Sequence, residues 1–113
     1  MHELSLCGSI ADIVRRRAAD RPVATIHLQI GQLRQVVPDT LAYCWSMISA
    51  DTELDGTQLD IERIPARIRC HDCDHVTMIG DFPILLCEAC AGSSCVVESG
   101  EEFMITAMDL VEA

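Results

Sequence analysis

The chain has 113 residues, half of them hydrophobic, and 18 acidic against 8 basic side chains give it a formal charge of −10. That length suffices for one modest domain with a small appended module. A surface this negative repels phosphate backbones and anionic lipids, which argues against nucleic-acid and membrane-surface binding and suits cations or basic protein partners.

Residues 4–19 read as an amphipathic helix, because Leu6, Ile10, Ile13 and Val14 recur at helical spacing among Asp12, Arg15 and Arg16. Arg15-Arg16-Arg17 is the one basic run and reads as a solvated helix face. Residues 23–30 alternate with period two. Ala24, Ile26, Leu28 and Ile30 face one way and Thr25, His27 and Gln29 the other, as in a half-buried strand. Pro38-Asp39-Thr40 opens a second helix, with Asp39 or Thr40 as cap and Leu41, Cys44, Trp45 and Ile48 as its buried stripe. Residues 57–64 form a second strand that Pro65 closes, and after Gly100-Glu101-Glu102 a third long strand runs from Phe103 to Leu110. With only Tyr43, Trp45, Phe82 and Phe103 aromatic, the core must be built from Ile, Leu, Val and Met.

The expected fold class is α+β: a small mixed sheet with two helices packed on it, plus an inserted zinc-ribbon-like module. Residues 1–66 and 100–113 form the α+β domain and residues 67–99 the module, with short linkers near 65–69 and 96–100.

The module carries the strongest motif. Cys70-x-x-Cys73 and Cys87-x-x-Cys90, thirteen residues apart, can bring four thiolates to the corners of a tetrahedron, as a closed structural Zn(II) site requires. Such a site leaves no open position for substrate. A tetrathiolate can also hold iron, and each pair alone could be a redox dithiol; two pairs together fit one zinc site best. His71 and His75 flank the first knuckle as exposed loop residues. Asp72, Asp74, Asp81 and Glu88 outweigh Arg67 and Arg69, which disfavours phosphate binding. Cys7, Cys44 and Cys95 remain. An odd remainder beside a thiolate site points to a reducing compartment. Cys7 and Cys44 read as small buried helix residues and Cys95 as the most reactive thiol. No signal peptide is visible, since Met1-His2-Glu3 begins with an acid, and no apolar run approaches the ~20 residues of a membrane span; a cytoplasmic protein is expected.

A second metal signal lies at the N-terminus. His2 beside a free Met1 amine offers three nitrogens in fused chelate rings: the amine, the deprotonated His2 amide and the imidazole. Glu3 adds a carboxylate or orients the set. Planar nitrogen-rich sets suit Ni(II) or Cu(II), whereas zinc prefers a tetrahedron. No nucleophile–base pair with an orienting third residue stands out, so an enzyme is not expected.

Taken together, Met1-His2-Glu3-Leu4-Ser5-Leu6-Cys7, Ile30-Gly31, Leu41-Ala42-Tyr43-Cys44-Trp45 and the two knuckles resemble the HypA/HybF family of hydrogenase nickel-incorporation proteins, over essentially the whole chain. The resemblance implies a non-enzymatic metallochaperone that delivers Ni(II) during [NiFe]-hydrogenase maturation, with urease served in some relatives. It implies nickel at His2 and Glu3 and structural Zn(II) at Cys70, Cys73, Cys87 and Cys90. It also implies the HypB GTPase and the hydrogenase large-subunit precursor as partners, and leaves a homodimer open. The chain departs from the family pattern at Gly31-Gln32, where many relatives have Gly-Glu, and at Cys87-Glu88-Ala89-Cys90, where a Pro is frequent. The rival reading is a zinc-ribbon adaptor for protein or nucleic acid, with His2 incidental.

Overall fold

The computed structural model describes residues 3–112. In chain order the elements are α1 (Glu3–Ala18), β1 (Val23–Gly31), a 3-10 turn (Gln32–Arg34), α2 (Pro38–Ser49), β2 (Gln58–Ile64), β3 (Arg67–Cys70), β4 (Val76–Met78), β5 (Cys95–Ser99) and β6 (Phe103–Leu110). They form two three-stranded sheets, ordered β2-β1-β6 and β4-β3-β5. The fold is α+β, as the residue pattern predicts. Two compact units result: Met1–Gln29 with Val36–Glu62 and Met104–Ala113, and Ile30–Gln35 with Arg63–Phe103.

In the first unit α1 packs on α2. Apolar burial drives this packing: Ile10, Val14, Ile26, Leu28, Leu41 and Trp45 are each at most 3% exposed. The buried face of α1 is Glu3, Cys7, Ile10, Ala11, Val14 and Ala18. The expected stripe was rotated from this, for Ile13 is exposed and Leu6 only half-buried. Small Cys7, Ala11 and Ala18 side chains lie on this face, so it is marked by size as well as by hydropathy. The α2 N-cap is Val37, with no side-chain cap, and Asp39 lies inside the first turn. This corrects the expected Asp39 or Thr40 cap. Pro38 at the first helical position starts the helix instead, since its missing N–H is one that no helix satisfies there.

The sheet β2-β1-β6 is mixed. Val111 N–H donates to Pro22 O at 2.9 Å and Gly31 N–H to Glu102 O at 2.7 Å, so β1 and β6 run antiparallel. On the other side His27 meets Asp60 and Gln29 meets Glu62, pairs that advance together as in parallel neighbours. The β1–α2–β2 connection supplies the crossover that parallel strands need. Trp45 Nε1 donates to Thr57 O at 2.8 Å and the Thr57 hydroxyl to Val23 O at 2.7 Å, tying the end of the crossover to the start of β1.

The second unit is built on β3, which pairs antiparallel with β4 (Ile68 opposite Thr77) and with β5 (Ile68 opposite Val97, Cys70 opposite Cys95). Most of the expected linkers at 65–69 and 96–100 are therefore strand. The core is Ala66, Ile68 and Ile79, with Leu33, Cys95 and Val97 against it. Ile30–Gln35 joins this unit through its polar groups. Leu33 N–H donates to Gly100 O at 2.8 Å. The Gln32 amide donates to Ile79 O at 3.1 Å and Gly80 O at 2.8 Å and accepts from Ala66 N–H at 2.8 Å. A carboxylate cannot donate to two carbonyls, which gives the amide at position 32 a structural reason. Gly31 passes so close to Gly100 that a Cβ on it would lie 2.1 Å from the Gly100 carbonyl carbon and oxygen. Gly100 itself has φ +111°, open to glycine alone without strain.

Candidate metal centre

The two knuckles are built alike from the backbone upward. In the first, Asp74 N–H donates to Cys70 O at 2.9 Å and Cys70 N–H to His75 O at 3.0 Å; in the second, Ala91 N–H donates to Cys87 O at 2.8 Å and Cys87 N–H to Gly92 O at 3.0 Å. Asp74 (φ 64°) and Ala91 (φ 60°) occupy the same left-handed position of each turn. Two identical turns face one another. β3 presents the first, and the Glu88 N–H bond to the Thr77 hydroxyl at 3.1 Å fixes the second to β4.

This brings four sulfurs together. Cys70, Cys73, Cys87 and Cys90 Sγ all lie within 4.8 Å of one another. Between the knuckles, Cys73 Sγ lies 3.5 Å from Cys87 Sγ and Cys70 Sγ 3.6 Å from Cys90 Sγ. A tetrahedron with zinc–sulfur arms of about 2.3 Å has edges of about 3.8 Å. The cluster therefore fits a tetrathiolate zinc ion in spacing, ligand type and number. The first cysteine of each knuckle is buried and the second exposed.

The backbone favours the thiolate form at half of the cluster. The Cys90 N–H, with that of Ala89, draws the Cys87 thiol down to about 6. The Cys73 and Asp72 N–H groups lower Cys70. The His75 N–H also pulls on Cys73, but the Cys87 sulfur, burial and the other sulfurs push it up to about 12. Four thiolates this close cannot all ionise unaided, and a divalent cation removes that repulsion.

A family model described as hydrogenase/urease nickel incorporation, metallochaperone, hypA, matches residues 1–110. The chain belongs to the HypA family. It is 38% identical over 112 residues to the hydrogenase maturation factor HypA of Geotalea uraniireducens, covering 97% of this chain and 99% of that one. It is 35% identical to the HypA of Streptomyces avermitilis, covering 96% and 86%. Among solved structures, a HypA solution structure aligns with TM-score 0.68 at 18% identity over 98% of this chain and 97% of that chain. The solution structure of the Ni metallochaperone HypA from Helicobacter pylori aligns with TM-score 0.66 at 18% identity, covering both chains fully. The HypA family is one of nickel metallochaperones for hydrogenase maturation and is not enzymatic, and this member has a four-cysteine, zinc-like cluster.

Of the residues expected at the HypA nickel site, Met1 and His2 lie outside the described residues. Glu3 is the first residue of α1 and is 5% exposed. Its Oε2 accepts the Val37 N–H at 3.4 Å, so its carboxylate faces the start of α2. Cys7 is fully buried, donates to Leu41 O at 3.5 Å, and burial pushes its thiol up to about 11, as befits a packing residue. Cys95 is half-buried, and burial, then the Cys70 and Cys87 sulfurs, raise its thiol. Arg69 is committed to Glu98 at 2.6 Å and Asp74 at 3.4 Å, which removes one of the two cations a phosphate could have used.

The sequence reading missed a polar tie across the first unit's sheet. The ring of His27 on β1 holds Asp60 of β2 through Nδ1 and Asp109 of β6 through Nε2, both at 2.8 Å. Two carboxylates, one on each ring nitrogen, favour the doubly protonated imidazolium, and hydrogen bonds to Asp109 and then Asp60 raise His27 above the usual histidine range. The outward-facing row of β1 was the available signal, since it sets a histidine opposite the acids of both neighbouring strands.

Among the described residues, no helix is long and apolar enough to cross a membrane.

Proposed function

We propose that the chain binds Ni(II) through the Met1 amine, the His2 amide and the His2 imidazole, with Glu3 completing or orienting the set. It passes that ion to a [NiFe]-hydrogenase large-subunit precursor in the cytoplasm, with the HypB GTPase as co-worker. Zn(II) at Cys70, Cys73, Cys87 and Cys90 holds the second unit's fold and takes no part in transfer. The observation that carries this reading is the family match from residue 1 to residue 110, which includes His2-Glu3 and both knuckles. The buried Glu3, bonded to Val37, supports it by fixing the helix start directly after His2.

The physical logic suits a carrier. A site at the chain's tip is dismantled by moving one short segment, so release can be fast. Loading displaces protons from amine, amide and imidazole, so nickel affinity falls as pH falls.

The test is metal analysis with a spectroscopic nickel titration on untagged protein. One zinc and one nickel per chain are expected. His2→Ala abolishes tight nickel binding and leaves zinc and fold intact; unchanged nickel affinity in that variant removes the site.

A further inference from the structure

The loop between β4 and the second knuckle gives the second unit's core only its first residue, Ile79, which joins Ala66 and Ile68 with Leu33, Cys95 and Val97 against them; residues 80–86 supply none of it. Yet the loop is strongly apolar. Phe82 is 78% exposed, Ile84 62%, Leu85 43% and Leu86 45%, and Met78 at the end of β4 is 56% exposed. The loop is tied at both ends. Gly80 O accepts from the Gln32 amide at 2.8 Å, and Glu88 N–H donates to the Thr77 hydroxyl at 3.1 Å. Between them Ile84 N–H donates to Phe82 O at 2.8 Å, closing a three-residue turn on Pro83. Fixed in this way, the loop holds contiguous apolar side chains in water, which is the mark of an interaction surface.

The charge around it selects the occupant. Asp81 precedes Phe82, Glu88 stands two residues after Leu86 with its carboxylate on His75 Nε2 at 2.9 Å, and Asp72 and Asp74 stand exposed on the facing knuckle. Residues 70–90 contain these four acids and no Lys or Arg. A second copy would bring the same acids, within a chain of charge −10, against them. An anionic lipid surface is repelled for the same reason. A different protein, with an apolar groove bordered by Lys or Arg, complements both the loop and its rim.

We infer that Phe82, Ile84, Leu85 and Leu86, rimmed by Asp81 and Glu88, form the docking surface of the second unit for such a basic-rimmed partner. The inference rests on the delivery role only for its choice of probes.

The test uses the full untagged chain loaded with zinc, and the double variant Phe82→Ser/Ile84→Ser. The affected side chains lie outside the core, so the fold is retained. The probes are the HypB GTPase and the hydrogenase large-subunit precursor, titrated by calorimetry at low and high salt. Wild type binds at least one of them, and the double variant binds it at least about tenfold more weakly, as loss of a central aromatic anchor implies. Asp81→Lys and added salt weaken the same complex. Zinc content and nickel affinity stay at wild-type values. The inference is overturned if the double variant keeps wild-type affinity for every probe that wild type binds, or if wild type binds neither. It is equally overturned if the loop mediates self-association in sedimentation or binding to phosphatidylglycerol vesicles. Nickel titration separates the two readings: a missing nickel site with intact docking sinks the delivery proposal alone, and undiminished docking of the double variant sinks this one alone.

Discussion

Gly31→Ala adds a single methyl group where the main chain of residue 31 passes against that of Gly100 and Glu101 in the second unit. Gly31 has φ −72° and ψ 146°, which any residue adopts, so the substitution carries no conformational strain of its own. The requirement is space. The new Cβ would lie 2.1 Å from the Gly100 carbonyl carbon and oxygen and 2.5 Å from Glu101 N, against 3.4 Å or more for ordinary contact. All three neighbours are backbone, so no side chain can swing aside; the strands must separate. Two bonds are then at risk, Gly31 N–H to Glu102 O at 2.7 Å and Leu33 N–H to Gly100 O at 2.8 Å. Each is worth about 1 kcal/mol net. Overpacking strain adds about 1–3 kcal/mol. The expected loss is about 3–5 kcal/mol by this reckoning. Gly8→Ala is the internal contrast: nothing lies within 4 Å of its would-be Cβ. Inside α1 it should stabilise by about 0.5–1 kcal/mol through helix propensity. Urea titration of the zinc-loaded protein, read by the single Trp45 in the first unit and by amide exchange over residues 63–103 in the second, separates the two effects. Were Gly31→Ala to unfold within about 1 kcal/mol of wild type, with unchanged exchange over 63–103, the close approach of Gly31 to Gly100 would be refuted.

Two further outcomes are expected. Cys70→Ala loses zinc, and residues 67–95 lose amide protection with it; full zinc stoichiometry in that variant, by elemental analysis, would contradict the four-sulfur site. His27 titrates above the ordinary value of 6.5, because hydrogen bonds to Asp109 first and then Asp60 hold the imidazolium. Its contribution to stability is thus complete below the unfolded-state value and is lost as pH rises through the folded one. NMR titration of the ring checks this: Asp109→Asn lowers the midpoint, and a wild-type midpoint at or below 6.5 would disprove the tie.

Elements set by local period were legible in the residues. The alternation in 23–30 and 103–110 and the helical spacing before Asp20 placed the long strands and the first helix to within a residue or two. The short strands of the second unit were not. Arg67–Cys70 and Val76–Met78 are three or four residues long, too short for a period to show, and exist because Ile68 can be sandwiched between Thr77 and Val97. The four-sulfur cluster could be read from spacing because the ligand pattern reflects coordination chemistry and not fold. That the two turns are copies of each other could not, since Asp74 and Ala91 share a backbone conformation and no side-chain chemistry. The jobs of Gln32 and His27 were hidden for another reason. Each depends on partners more than thirty residues away, brought close only by the fold.

The alternation of buried and exposed cysteine residues gives the cluster a front and a back. Cys70 and Cys87 are shielded by protein, whereas Cys73 and Cys90 meet water. Chelators, alkylating agents and oxidants thus approach from one side, so the outer pair is modified first and the inner pair keeps its grip longest. Extraction of the ion should proceed in two stages, with a half-detached intermediate still anchored by one sulfur from each turn.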